Sequence, residues 1–326
     1  MMQISPEIQL FIREHSSDDV RVLALQAKKY PDIDMPTVIT QIAGRKVAAE
    51  KIPSWWEIEK IWYPKHLSLE QCSSEITARY KARLLQGDSL TDLTGGFGID
   101  CSFLATGFKS ATYVERQEEL CEIAAHNFPV LNLNHINIKN EDGVTYLQAM
   151  SPVDCLFLDP ARRNEHGGKT VAISDCEPNV AELEELLLQK ANRVMIKLSP
   201  MLDLSLALKE LKQTQEVHIL SVNNECKELL ILLGQTSPAE ISIHCVNLFT
   251  KGTQKEQHFV FTREQEQCSE CTYTDSLETY LYEPNASLLK AGAFRSIAAA
   301  YPVRKLHPNS HLYTSDTFIE NFPGRI

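Results

Sequence analysis

Residues 89–105 constrain the fold more than any other stretch. Ser89 to Leu93 is a short apolar run that predicts a strand. It carries Asp92, is followed by Thr94, Gly95, Gly96 and Gly98, and gives way at Ile99 to helical spacing as far as Ala105. A strand, a glycine turn and a helix in succession is how an α/β sheet brings main-chain N–H groups against a ligand. Glycine lacks Cβ, so such a turn can adopt positive φ and let a ligand sit on the backbone. The chain has only 13 glycines in 326 residues, and three of them fall within four positions here. The turn therefore has a special backbone requirement.

From residue 89 to 234 strand and helix patterns alternate, which predicts a doubly wound α/β sheet. Ala111–Val114 reads as a strand ending on Glu115, and a helix follows to Phe128. Ile136–Ile138 is the third strand, running to Glu141 and Asp142. Val153–Leu158 is a buried strand that ends in Asp159-Pro160-Ala161-Arg162-Arg163. The polar stretch 164–178, with Gly167, Gly168 and Lys169, reads as a substrate loop. Helical patterns at Glu182–Ala191 and Leu202–Leu211 flank a fifth strand, Arg193–Leu198, which carries Lys197 and exits through Ser199-Pro200. His218–Val222 and Leu229–Leu233 read as two adjacent strands, and 239–248 and 257–262 as two further β-type runs.

The flanks differ in composition. Residues 1–86 read as a helical N-terminal domain, with apolar spacing of three and four at Pro6–Glu14, Asp18–Lys28, Pro36–Glu50 and Leu69–Leu85. Ser16, Ser17 and Ser68 are candidate N-caps. All three tryptophans lie between Trp55 and Trp62, and a core joining the helices to the sheet is preferred there to a base-stacking surface. Residues 87–263 read as the α/β domain. The polar 264–275 reads as a linker, and 277–326 as a small α/β unit. The sequence stops in what looks like the entry to another strand, which implies a longer natural protein.

Net charge is −11, unlike a typical nucleic-acid binder. The acid is concentrated in 91–276, which carries 15 basic and 27 acidic residues, while 1–90 is neutral and 277–326 is +1. A basic groove on a flank is therefore permitted, but no strong electrostatic footprint is visible. No apolar run reaches the length of a membrane span and no signal pattern opens the chain, so a cytoplasmic protein is expected. The nine scattered cysteines read as reduced thiols. Cys268-Ser-Glu-Cys271 lacks a second pair, and His307 and His311 lack further ligands, so no metal is expected. Oligomeric state is left open.

Asp92-x-Thr94-Gly95-Gly96-x-Gly98 resembles motif I of class I S-adenosylmethionine (SAM) methyltransferases, with Thr94 replacing the first glycine, and Asp159-Pro160-Ala161-Arg162 resembles their motif IV. With Val114-Glu115-Arg116, Lys197–Pro200 and Lys305–Tyr313, the chain resembles a bacterial family of class I methyltransferases with a THUMP-like C-terminal region. The resemblance implies a Rossmann-like sheet, SAM as cofactor and an RNA substrate, rRNA or tRNA. It implies that Asp92, Thr94, Gly95, Gly96, Gly98, Glu115, Arg116 and Asp142 bind the cofactor, Glu115 through the ribose hydroxyls and Asp142 through the adenine amine. Asp159, Pro160 and Lys197 would be catalytic, and Lys81, Arg162 and Arg163 would face substrate. No aromatic ring follows Pro160, a departure from amino-group methylases.

Three chemistries compete. Carbon-5 methylation of pyrimidines needs a cysteine nucleophile, and Lys197-Leu198-Ser199-Pro200 lacks it. Ribose 2′-O methylation would use a Lys-Asp-Lys-Glu set, here Lys81, Asp159, Lys197 and Glu225 or Glu228. Methylation of a base nitrogen needs Asp159 and a backbone carbonyl as acceptors, and it is the preferred expectation. A non-catalytic RNA-binding protein on the same fold is the remaining reading.

Overall fold

The computed structural model describes residues 4–162, 172–236 and 238–326. It is a mixed α/β structure with a large, mainly parallel sheet and a small antiparallel sheet near the C-terminus. The large sheet draws on β1 (Ser89–Asp92), β2 (Ser110–Glu115), β3 (Ile136–Asn140), β4 (Val153–Leu158), β7 (Ala191–Leu198), β8 (Thr214–Val222), β9 (Glu225–Gly234), β10 (Ser242–Leu248) and β11 (Glu256–Thr262). Their order is β11-β10-β8-β9-β7-β4-β1-β2-β3. The two-residue strands β5 (Ala161–Arg162) and β6 (Cys176–Glu177) pair separately. The chain divides into two compact units, Met1–Cys155 and Leu156–Ile326, and the division falls within β4.

In the first unit, β1 and β2 are parallel in the register Asp92↔Tyr113, and β2 and β3 in the register Glu115↔Asn140. Among the described residues six α-helices precede β1. Pro6–Glu14, Val20–Leu25 and Met35–Lys51 enclose Phe11, Leu23, Met35, Val38 and Ile42. Ser5 and Asp19 cap the first two of these helices, not the serines at 16 and 17. The helix expected over 69–85 is two, His66–Gln71 and Glu75–Ala82. The break has a physical cause: Cys72 is extended, and the neighbouring Ser73 hydroxyl donates to Asp100. A second core joins Trp55, Ile61, Tyr63, Leu69 and Ala78 to Phe97 and Ile99 of the glycine turn.

In the second unit, β9 runs antiparallel to both β7 and β8, and β10 is parallel to β8. The turn between β8 and β9 is Asn223-Asn224, with φ 50° and 66°. Positive φ at both central positions is the geometry that matches the twist of a two-residue hairpin. The stretch read as a linker contains a helix, Arg263–Cys268, closed by a Thr262/Gln265 capping box. Four short strands, β12 (Tyr280–Pro284), β13 (Arg304–Lys305), β14 (Tyr313–Ser315) and β15 (Gly324–Arg325), form the small sheet in the order β13-β14-β12-β15. Among the described residues no helix is long and apolar enough to cross a membrane.

Candidate functional site

Asp92 ends β1 fully buried. Its Oδ1 accepts from the Thr94 N–H at 3.0 Å, which turns the chain sharply out of the strand. Gly95 then lies against the Tyr113 ring so closely that an added Cβ would stand 2.2 Å from Cε2. Gly96 and Gly98 have φ of 53° and 87°, in the left-handed region that side chains disfavour. An added Cβ at Gly96 would meet only the Thr94 carbonyl, at 3.8 Å. Conformation, not crowding, sets the residue there, and the space before the turn stays open.

The next strand locks this turn from its own end. Glu115, only 8% exposed, closes β2. Its Oε2 accepts from the Gly96 N–H and its Oε1 from the Gln117 N–H, each at 2.8 Å. The Tyr113 hydroxyl donates to the Gly96 carbonyl at 2.5 Å. Burial pushes this phenol well above its ordinary value, helped by the carboxylate of Glu115, so it remains a protonated donor. Asn140 donates to the carbonyls of Glu115 and Arg116, fixing the exit of β2 against β3. An ionised carboxylate offers about four acceptor positions, so two N–H partners leave Glu115 able to accept from a pair of hydroxyls. Burial also raises the thiols of Cys101 and Cys121, which makes them poor nucleophiles.

Asp142 is exposed and caps the helix Gly143–Ala149, its Oδ1 accepting from Val144 N and Thr145 N at 3.0 Å each. Arg116 is exposed beside Glu115. Lys81 is placed differently from a surface contact: it is fully buried. Its Nζ lies 3.0 Å from Asp100 Oδ1 and 2.9 Å from Ser73 Oγ, and Ser73 Oγ donates to Asp100 Oδ2 at 2.7 Å. Asp100 stands in the first turn of the helix Ile99–Ala105 that leaves the glycine turn, so Lys81 and Ser73 brace that helix. Sequence reasoning missed Ser73 and Asp100, because nothing local marks either as a partner of residue 81.

The tryptophans serve packing more than exposure. Trp55 is buried edge-on to Phe97 with ring centroids 5.2 Å apart, and Trp62 stacks on His126 at 3.8 Å. Trp56 is exposed and takes the Arg45 guanidinium over its ring.

In the second unit, Asp159 and Lys197 are brought together. Lys197 Nζ donates to Asp159 Oδ2 at 2.5 Å, a short charge-assisted contact. Lys197 is largely buried near the end of β7, while Asp159 is partly open beside the buried Pro160. Glu225, the alternative acid, is exposed and pairs with Lys227. Arg162 lies in β5, and Arg163, with Gly167, Gly168 and Lys169, falls outside the described residues.

A family model described as a ferredoxin-like domain matches residues 280–323. No curated protein matches the chain. Among solved structures, a Porphyromonas gingivalis W83 protein called a "putative methyltransferase" is 36% identical, over 98% of this chain and 80% of that one, with a TM-score of 0.85. An rRNA methylase from Streptococcus thermophilus is 14% identical over 49% of this chain and 93% of its own, with a TM-score of 0.35. A Streptococcus mutans protein solved in complex with SAH has the same identity and score, over 49% and 96%. Likenesses at that level carry no argument about function. The first is of another order: identity, coverage and superposition agree along nearly the whole chain, which therefore belongs to the same methyltransferase-fold family as the P. gingivalis protein.

Proposed function

We propose that this chain is a SAM-dependent methyltransferase that acts on a base nitrogen of RNA, rRNA or tRNA. The observation that carries the cofactor half is the lock of Glu115 on Gly96. A buried carboxylate holds the turn at the N–H of Gly96, whose φ is left-handed, and the space a side chain would take there is open. These residues fit an adenosyl group. Glu115 would accept its ribose hydroxyls, Asp142 its adenine amine, and Asp92, Thr94, Gly95, Gly96, Gly98 and Arg116 would shape and flank the rest. SAM, when bound, supplies an electrophilic methyl group. The protein's own task is to position a nucleophile and exclude water, which can remove about 7–11 kcal/mol of a barrier when the geometry is near attack.

For the substrate half, the Asp159–Lys197 pair is the guide. Lys197 orients Asp159, and Asp159, with the main chain at Pro160, would accept a hydrogen bond from an amine or ring N–H. Arg162 and Arg163 would take backbone phosphate, and a THUMP-like role for the ferredoxin-like domain would hold the RNA. The family relationship and the reduced thiols support a methyltransferase of the cytoplasm.

The same close Lys–Asp pair favours a second reading, ribose 2′-O methylation. Against it stand Lys81, which is engaged with Asp100, and Glu225, which is engaged with Lys227; the other acid of the set, Glu228, is buried on β9 opposite Leu220. Nucleoside mass spectrometry of RNA from a strain lacking the protein decides between them. Loss of one base-methylated nucleoside, restored by the wild-type chain and not by Asp159→Ala, is the expected result. Loss of a ribose-methylated nucleoside would favour the second reading. Unchanged RNA would contradict both and return the chain to a non-catalytic RNA-binding role.

A further inference from the structure

One face of the second unit's sheet carries an ionisable cluster that methyl transfer does not use. Glu216 and His218 alternate along β8, so both point to the same face. His244 on β10 stands directly opposite His218, and Ser242 opposite Glu216. His258 on β11 lies diagonal to His244, which pairs with Val260. Glu216, His218 and His244 each present one ligand atom, and the three atoms lie within 4.8 Å of one another. His218 is buried, Glu216 and His244 are half-buried, and His258 is exposed.

We propose that Glu216, His218 and His244 form a binding site for a divalent transition-metal ion of the zinc class, with His258 as the outer partner of His244. The contacts assign the donor atoms. Glu216 Oε1 is held by the Arg193 guanidinium at 2.8 Å, while Oε2 faces His218 Nε2 at 3.3 Å. One carboxylate oxygen is thus oriented by a cation and the other is aimed at the imidazole. His244 Nδ1 lies 3.1 Å from His258 Nε2, and its Nε2 3.2 Å from Ser242 Oγ, next to Glu216. With Nδ1–H donating to His258, His244 Nε2 carries the lone pair that a metal takes. A second hydrogen bond of this kind is how metal-bound histidines have their tautomer and ring fixed.

The dimensions are compatible with closure. Zinc takes imidazole nitrogen and carboxylate oxygen at about 2.0–2.2 Å, which puts neighbouring tetrahedral ligands roughly 3.4 Å apart. The three donor atoms already lie within 4.8 Å of one another, close to that spacing. Two histidines and one carboxylate leave a coordination position for water at the exposed, His258 side. The ligands come from two strands 26 residues apart in sequence, so the ion would staple β8 to β10. The competing account is a ladder of imidazoles, His218 stacked on His244 at 4.3 Å, that holds itself by hydrogen bonds.

The full-length protein, stripped with chelator, is titrated with Zn(II) and with Co(II). A melting temperature that rises and saturates at one equivalent is expected. The Co(II) complex should show d–d bands of a nitrogen and oxygen site without thiolate charge transfer. His244→Gln should abolish both signals while leaving the metal-free melting temperature close to wild type. His258→Ala should weaken the metal by about 10- to 100-fold, as loss of an outer partner does. Cys268→Ser with Cys271→Ser should leave both signals intact. No saturable shift, a thiolate band, or a shift that survives His244→Gln or disappears with the two cysteines would overturn the proposal. Should His244→Gln fold poorly, Glu216→Gln supplies the same comparison from another ligand.

Discussion

Glu115→Gln keeps the shape of the side chain and removes its charge and one acceptor. The wild-type carboxylate receives two main-chain N–H groups, Gly96 and Gln117, one on each oxygen. An amide can satisfy one of them and turns its own NH2 toward the other. Glu115 is 8% exposed, so water has little room to replace the lost acceptor. An unsatisfied buried N–H costs about 1–3 kcal/mol, and bonds to charged groups stand at the upper end of that range. A loss of about 2–3 kcal/mol from the turn corresponds to a roughly 30- to 140-fold weaker cofactor, at about 1.4 kcal/mol per factor of ten. Isothermal titration with S-adenosylhomocysteine, well below the melting temperature, measures it. A dissociation constant within twofold of wild type would refute the reasoning, because the locked turn and the nucleoside acceptor are assigned to the same carboxylate.

Asp159→Ala is expected to retain the cofactor and lose methyl transfer to RNA; retained turnover removes Asp159 from the chemistry. Lys81→Met leaves the Asp100 carboxylate facing a buried thioether, and breaking a buried pair costs about 3–5 kcal/mol, read as a lowered denaturation midpoint. A change below about 1 kcal/mol would mean that the pair is not the brace described here. Gly95→Ala should destabilise by about 1–3 kcal/mol through overpacking, because Cβ meets the Tyr113 ring; an unchanged melting temperature would contradict the observed contact. Acid should also weaken the fold through the sheet-face cluster. The His218 hydrogen bond, with Arg193 nearby, lowers Glu216 from 4.5 to about 2, so its stabilisation is present above 4.5 and lost as pH falls toward 2. Burial, with His218 and His258 nearby, lowers His244 from 6.5 to about 4, so the unfolded chain takes up that proton first and stability declines from pH 6.5 to 4. The decline over that window should be shallower in His244→Gln than in wild type; equal slopes would contradict this.

The local signals carried far. Strand, glycine turn and helix were legible because their causes sit within a dozen residues, and the carboxylates at 92 and 115 follow from strand ends that the apolar runs mark. The two strands around 218 and 231 were legible too, but their antiparallel pairing was not, since direction depends on a turn whose Asn223-Asn224 geometry the composition does not fix. Lys81 illustrates the limit. Thr77, Ala78 and Lys81 share the buried face of one helix, yet a charge on that face reads from sequence as a solvated one, because its partner Asp100 is nineteen residues away. The cluster of Glu216, His218 and His244 was invisible for the same reason in stronger form. Its members meet through sheet register, and a shift of one residue in β10 would turn His244 to the other face.

Equilibrium binding of S-adenosylhomocysteine to the purified chain bears most directly on what the glycine turn is for. One site per chain is expected, with micromolar affinity that falls in Glu115→Gln and persists in Asp159→Ala. Absence of binding at millimolar concentration, with the protein folded, would contradict a cofactor role for Asp92, Gly96 and Glu115 and leave the turn as a structural bend alone.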